Sequence, residues 1–296
     1  MSLKILVFFF CLHKCFTFDL PRSMCVSNVS INNEHYNMSS VYNVGDIYPT
    51  KAHYDTRGNL FYVASGNNEQ GYYFNIYMIK YKTTTPQKIS GLPDGMSYSV
   101  AIDKKNQQVF FGTGCGLYSY DYNNNSAVLV SQESTQLDMI IIDKEGNKFV
   151  IENNNGFQEL YRLIGNKKIQ LHTLNSLNEI AIDIKNNFYF INNEQLCVLK
   201  SNYISPICLS SSNFSGIVQI STYNDNVFIA NKKLIYFHEN DTEKFKVIEN
   251  IPINVTAIAF DTAGNFVLGV KGKILKYKKN DCHFRDSHFI DEYANN

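Results

Sequence analysis

The chain has 296 residues, with 27 basic and 27 acidic side chains and no long run of either sign. A balance of this kind offers no electrostatic footprint for nucleic acid or an anionic membrane surface, so neither is expected as a partner. Aromatic residues make up 14%, as 20 Tyr and 21 Phe with no Trp, a composition that favours strands.

The first element is a leader. Met1–Lys4 carries one basic residue and runs into the apolar stretch Ile5–Leu12, after which the chain turns polar. That layout is a secretory signal peptide, assigned to residues 1–17, and it is too short to span a bilayer. Cleavage is expected between Cys15 and Phe18, where no small-x-small pattern fixes the bond. Acceptor patterns Asn-x-Ser/Thr follow at Asn28, Asn37, Asn124, Asn213, Asn240 and Asn254. With the leader, they predict a secreted, soluble glycoprotein.

Next comes a repeat. A unit apolar-x-apolar-Asp, a short turn, Asn or Gln, then alternating apolar residues recurs along the chain. Its anchors are Asp55, Asp103, Asp143, Asp183, Thr222 (where Asp would stand) and Asp261, separated by 48, 40, 40, 39 and 39 residues. A period near 40 with several short strands per unit is the signature of propeller blades. The second unit parses into strands at 99–102, 109–113, 116–122 and 127–131. The anchor carboxylate is expected to accept hydrogen bonds from the turn after it, and Gly58, Gly146 and Gly264 to take a positive φ there. A side chain repeated in every unit is structural, not catalytic.

The last unit has no fourth strand of its own, because the chain beyond Lys279 is short and polar. Residues 38–44, ahead of the first unit, can supply it. The predicted fold is therefore all-β, a six-bladed propeller over residues 18–282 closed by an N-terminal strand, with a polar tail at 283–296. Cys25 and Cys282 flank this closure and are paired in the expected scheme, a bond worth about 4–5 kcal/mol in the chain-entropy model. Cys197 and Cys208 suit a cross-strand pair in one hairpin. Cys115 is left over, as a buried thiol or as a sulfur linked to a ligand or a second chain.

No catalytic constellation is evident. The seven His are scattered and Gly-x-Ser-x-Gly is absent. Asp94, Asp138 and Glu179 precede inner strands and are the acids a calcium-dependent propeller hydrolase would need to bring together. A binding role suits the sequence better: the loops at one mouth of the channel carry Tyr72, Tyr73, Tyr98, Phe157 and Phe214, whose rings can stack on a planar ligand. No cofactor, no metal and no catalysis are expected, and the protein is expected to act as a monomer on a small molecule. An extracellular protein-interaction propeller is the remaining alternative.

The segment Lys88-Ile89-Ser90-Gly91, Val100-Ala101-Ile102-Asp103, Val109-Phe110-Phe111-Gly112 and Gly116-Leu117-Tyr118-Ser119-Tyr120 resembles the ommochrome-binding proteins of insect haemolymph. The likeness runs loosely over residues 25–282. It implies carriage of a tryptophan-derived ommochrome pigment in haemolymph, and it supplies no binding-residue motif.

Overall fold

The computed structural model describes residues 28–280 apart from 33, 70, 133–135, 155–156, 166, 176, 178, 202, 210–213, 215, 217, 225, 232, 239–244 and 253. The leader, Cys25, Cys282, the acceptors Asn213 and Asn240, and the C-terminal tail lie outside the described residues.

Two strands come first, β1 (Val29–Ile31) and β2 (Glu34–Asn43). The first repeat unit folds as β3 (Tyr48–Tyr54), β4 (Leu60–Asn68), β5 (Gly71–Ile79) and β6 (Pro86–Lys88). The second is β7 (Ser97–Asp103), β8 (Gln108–Thr113), β9 (Gly116–Asp121) and β10 (Ser126–Gln132), each within two residues of the sequence expectation. The third is β11 (Gln136–Ile142), β12 (Lys148–Asn154), β13 (Phe157–Ile164) and β14 (Lys167–Asn175). The fourth is β15 (Ile180–Ile182), β16 (Phe188–Asn192), β17 (Gln195–Leu199) and β18 (Ile207–Cys208). The fifth is β19 (Gln219–Tyr223), β20 (Asn226–Asn231), β21 (Lys233–His238) and β22 (Lys246–Val247). The sixth is β23 (Ala257–Phe260), β24 (Phe266–Val270) and β25 (Lys273–Lys279).

Each unit is one antiparallel sheet, and the sixth sheet is completed by β2, which pairs with β25 from Tyr36↔Lys279 to Asn43↔Lys273. β1 adds an outer fifth strand to that sheet, an element the sequence reading does not contain. The innermost strands touch in ring order, β3 to β7, β11, β15, β19 and β23, and β23 returns to β3.

Three local causes hold this arrangement. First, the anchor carboxylates work as expected. Asp55 Oδ1 accepts from the backbone N–H of Arg57 and Asn59, while Asn59 Nδ2 donates to Oδ2. The same ladder recurs at Asp143 with Asn147, Asp183 with Asn187 and Asp261 with Asn265. Gly58, Gly146 and Gly264 have φ of 81°, 85° and 80°. Second, apolar side chains between neighbouring sheets form the core, and the packing around the sixth blade is aromatic. Tyr223 stacks on Phe260 with centroids 4.3 Å apart, and Phe266 stacks on Tyr277 at 4.7 Å. Third, polar staples cross between blades: Thr256 Oγ1 donates to the carbonyl of Pro49 at 2.6 Å, and Ile140 N–H donates to Ser99 Oγ at 3.0 Å. Gly269 is required at its closure seam, since a Cβ there would stand 2.7 Å from the Pro49 carbonyl oxygen.

Cys197 and Cys208 are directly opposite on β17 and β18 and are bonded. Cys115 is exposed in the β8–β9 turn, which corrects the expectation of a buried thiol; a two-residue turn at a blade corner has no neighbour to cover it. Among the described residues no helix is long and apolar enough to cross a membrane.

Candidate functional site

The inner strands border two cavities, and an ion pair stands at a residue the two have in common. Lys51 Nζ lies 3.3 Å from Glu179 Oε1, and Lys51 borders both cavities. The repeat explains the pairing. Lys51 stands four residues before Asp55 and Glu179 four before Asp183, so they occupy equivalent places in blades one and four. In a ring of six those blades face each other. Lys51 reaches across because β3 is bulged there: Lys51 and Ala52 together oppose Tyr62, and Lys51 has φ 47°. Such a bulge re-aims a side chain, and a non-glycine residue in that region costs about 1 kcal/mol or more. Burial raises the Glu179 carboxyl above its usual range, and Lys51 works against that shift through its charge and its hydrogen bond.

The upper cavity, about 230 Å³, lies where the inner strands begin. Phe74 and Tyr98 form one side, their rings tilted at 5.4 Å. Asp138 stands in the same cavity, its carboxylate held by the side-chain amides of Gln136 and Gln158. Tyr98 is fixed by its neighbours: Phe74 bridges Met96, and Gly114 N–H donates to the Met96 carbonyl at 2.9 Å. Burial raises the Tyr98 hydroxyl pKa, with Asp138 and Cys115 adding to it.

The lower cavity, about 370 Å³, opens at the turns that carry the anchor carboxylates. Its walls are Ile102, Ile142, Ile182 and Ile220 from successive blades, with Tyr54, Tyr223 and Phe260. Polar and charged groups also line it, among them His53, Lys104, Gln219 and the Lys51–Glu179 pair. Burial pushes the His53 imidazole down to about 4, and the charges of Lys104 and Lys51 push the same way. His53 is therefore neutral at physiological pH. Gln219 braces the channel wall: its Nε2 donates to the Ala52 carbonyl at 3.1 Å, and its Oε1 accepts from Ala52 and Ile258 N–H.

Of the aromatics singled out from the sequence, Tyr98 lines the upper cavity. Tyr72 is 80% exposed. Tyr73 is half-buried with its ring against Gly66, Phe157 begins β13, and Phe214 is buried between blades with Phe245 edge-on at 5.4 Å. Tyr72, Tyr73 and Phe214 are thus not among the residues that line the cavity of Tyr98. The sequence reading missed His53, Lys104, Tyr223 and Phe260. The signal for His53 was present, since the residue two before each anchor is otherwise Ala101, Ile141, Ala181, Ile220 or Ala259.

The acids proposed for a calcium site do not converge. Asp94 is exposed and pairs with Lys88, Asp138 belongs to the upper cavity and Glu179 to the ion pair. Among the described residues, no three His, Cys, Asp or Glu side chains are grouped to hold a metal ion. Of the glycan acceptors, Asn28, Asn124 and Asn254 are exposed, and Asn37 is half-buried on β2 with its Oδ1 accepting from Asn28 N–H.

No family model matches the sequence. The chain is 25% identical over 177 residues to an ommochrome-binding protein of Manduca sexta, a match covering 60% of this chain and 48% of that protein. The chain therefore aligns with about half the length of that curated relative. Among solved structures it is similar to a gluconolactonase of Xanthomonas campestris, with TM-score 0.65 and 11% identity over 84% of this chain and 91% of the other. It is also similar to a streptogramin B lyase, with TM-score 0.53 and 12% identity over 83% and 98% of the two chains. At these identities the likeness is one of fold, and the fold is that of β-propellers. It corrects one expectation: freedom from catalysis does not follow from this architecture, because propellers of like fold are enzymes.

Proposed function

We propose that the chain is a secreted, N-glycosylated, six-bladed β-propeller that carries a planar aromatic small molecule, an ommochrome or a pigment of similar shape, in its central channel. The observation that carries this reading is the lower cavity. Its volume of about 370 Å³ falls in the range of small-molecule sites, and its walls set isoleucines and aromatic rings beside polar and charged side chains that can orient a ligand. The similarity to the ommochrome-binding protein of Manduca sexta supports the same reading. Tyr98 and Phe74, across the Lys51–Glu179 pair, are proposed to form a second, smaller aromatic contact surface. The leader at residues 1–17, the Cys25–Cys282 bond and a monomeric state belong to the same proposal.

The test is to express the full chain in a secretory host, purify it from the medium, and dialyse it against xanthommatin. Pigment retained near one equivalent per chain, with a shifted visible band, supports the reading; a colourless protein after dialysis refutes it.

A second reading is favoured by a specific observation. Glu179 is buried beside Lys51 in the channel with its carboxyl pKa raised, which is how enzymes poise a general acid. Mass analysis of the ligand after incubation separates the two: unchanged pigment supports carriage, and a cleaved or rearranged product supports catalysis.

A further inference from the structure

Resting on the channel reading above, we propose that the ligand carries a carboxylate, seated at a basic corner formed by Lys104 and His53, with its ring system lying across the lower cavity against Tyr223 and Phe260.

The lining of that cavity contains equal numbers of acids and lysines: Asp143, Glu179 and Asp183 against Lys51, Lys104 and Lys144. They differ in what is already bound. Asp143 and Asp183 are occupied by their own turns, each with both carboxylate oxygens accepting hydrogen bonds. Glu179 holds Lys51, and Lys144 lies 3.6 Å from Glu145. Lys104 alone among these six has no ion pair or side-chain hydrogen bond with another described residue. The charged group left to meet a ligand is therefore a cation.

Beside it His53 lines the same cavity, and its ring nitrogens have no hydrogen-bond partner among the described residues. The ammonium groups of Lys104 and Lys51 both act on this ring, so the corner is electropositive. An anion placed there relieves the repulsion, gains a charge-assisted hydrogen bond from Lys104, and accepts another from the imidazole N–H. A cation placed there meets the same repulsion with no free carboxylate to offset it. One uncommitted ammonium matches a monoanion better than a phosphate dianion, which is why a carboxylate is assigned.

The ring order supplies the other half. Lys104 belongs to blade two and His53 to blade one, whereas Tyr223 and Phe260 belong to blades five and six. Blade two faces blade five, so Lys104 and Tyr223 lie on opposite walls, while His53 and Phe260 belong to the neighbouring blades one and six that join them. A flat acid spanning the cavity meets a charge at one end and an aromatic surface at the other.

Binding of three probes to the full-length secreted chain tests this: 2-naphthoate, 2-naphthamide and 2-naphthylmethylammonium at pH 7. The acid should bind at least about 10-fold more tightly than the isosteric amide, and the ammonium most weakly. Lys104→Met should cost the acid about 10-fold and leave the amide unchanged, because Lys104 is exposed on a turn. Lys105→Met, at the neighbouring lysine that lies outside the cavity lining and donates to the Glu145 carbonyl, should change neither. Equal affinity for acid and amide, or equal loss of both in Lys104→Met, overturns the assignment while the channel reading stands. Failure of all three probes to bind overturns the channel reading and the assignment together.

Discussion

His53 faces the lower cavity from a repeat position that other blades fill with alanine or isoleucine, and its surroundings decide its charge. Burial and the two lysines depress its pKa to about 4, while in the unfolded chain it titrates near 6.5. Between those values the unfolded chain binds more protons than the folded one. Stability from this group is therefore complete above about pH 6.5 and is lost as pH falls toward 4. The loss should be on the order of 2 kcal/mol once solvent screening of a channel-facing ring is allowed for. Glu179, whose pKa is raised by burial, works in the opposite sense as pH rises through the carboxylate range, so the wild-type curve alone does not isolate the histidine. Comparing wild type with His53→Asn does. Denaturant midpoints measured from pH 4 to 7 should keep a constant difference above about pH 6.5 and change toward pH 4, where wild type falls relative to the variant and the variant shows the flatter curve. Parallel curves would assign the acid sensitivity elsewhere.

At the scale of one element, β19 shows what was legible in the sequence and what was not. The repeat located this strand even with Thr222 in place of the anchor Asp, because the apolar alternation around it persists. What the repeat hid is the role of Gln219. Read alone it is a polar residue at the start of a strand; in the ring it reaches the backbone of Ala52 in blade one and Ile258 in blade six. Contacts between residues 167 positions apart in sequence leave no local pattern. The Lys51–Glu179 pair was hidden for the same reason, whereas Cys197–Cys208 was readable because both partners sit in one hairpin. Gln219→Leu keeps the side-chain bulk and strands three backbone groups in a buried setting. Each unsatisfied group costs about 1–3 kcal/mol, so the loss of stability should reach about 3 kcal/mol or more. Chemical denaturation reads this directly. A loss below 1 kcal/mol would mean that water replaces the amide and that Gln219 is not a closure staple.

Closure of the whole ring depends on the chain's first strands. β2 completes the sixth sheet, and Val29, Ile31 and Tyr36 are buried in the same core cluster as Phe228, Phe266 and Tyr277. Tyr36 meets Phe266 edge-on at 4.9 Å, and Tyr42 packs in the neighbouring cluster with Leu60 and Ile274. Removing residues 28–43 would expose the edge of β25 and withdraw four buried side chains, each worth about 1.5–3 kcal/mol. The sum is comparable to the net stability of a typical domain, so the deleted chain should fail to fold and should aggregate through its open edge. A deletion that merely shortens a floppy terminus would behave otherwise, and a circular permutant distinguishes the two. Moving residues 28–43 to follow residue 280 through a glycine-rich linker restores the strand to the same neighbours without the native connection. The permutant should melt cooperatively, within several degrees of wild type, while the deletion gives no cooperative transition. If both melt like wild type, the ring is held by its inter-blade core alone and the N-terminal strand is dispensable.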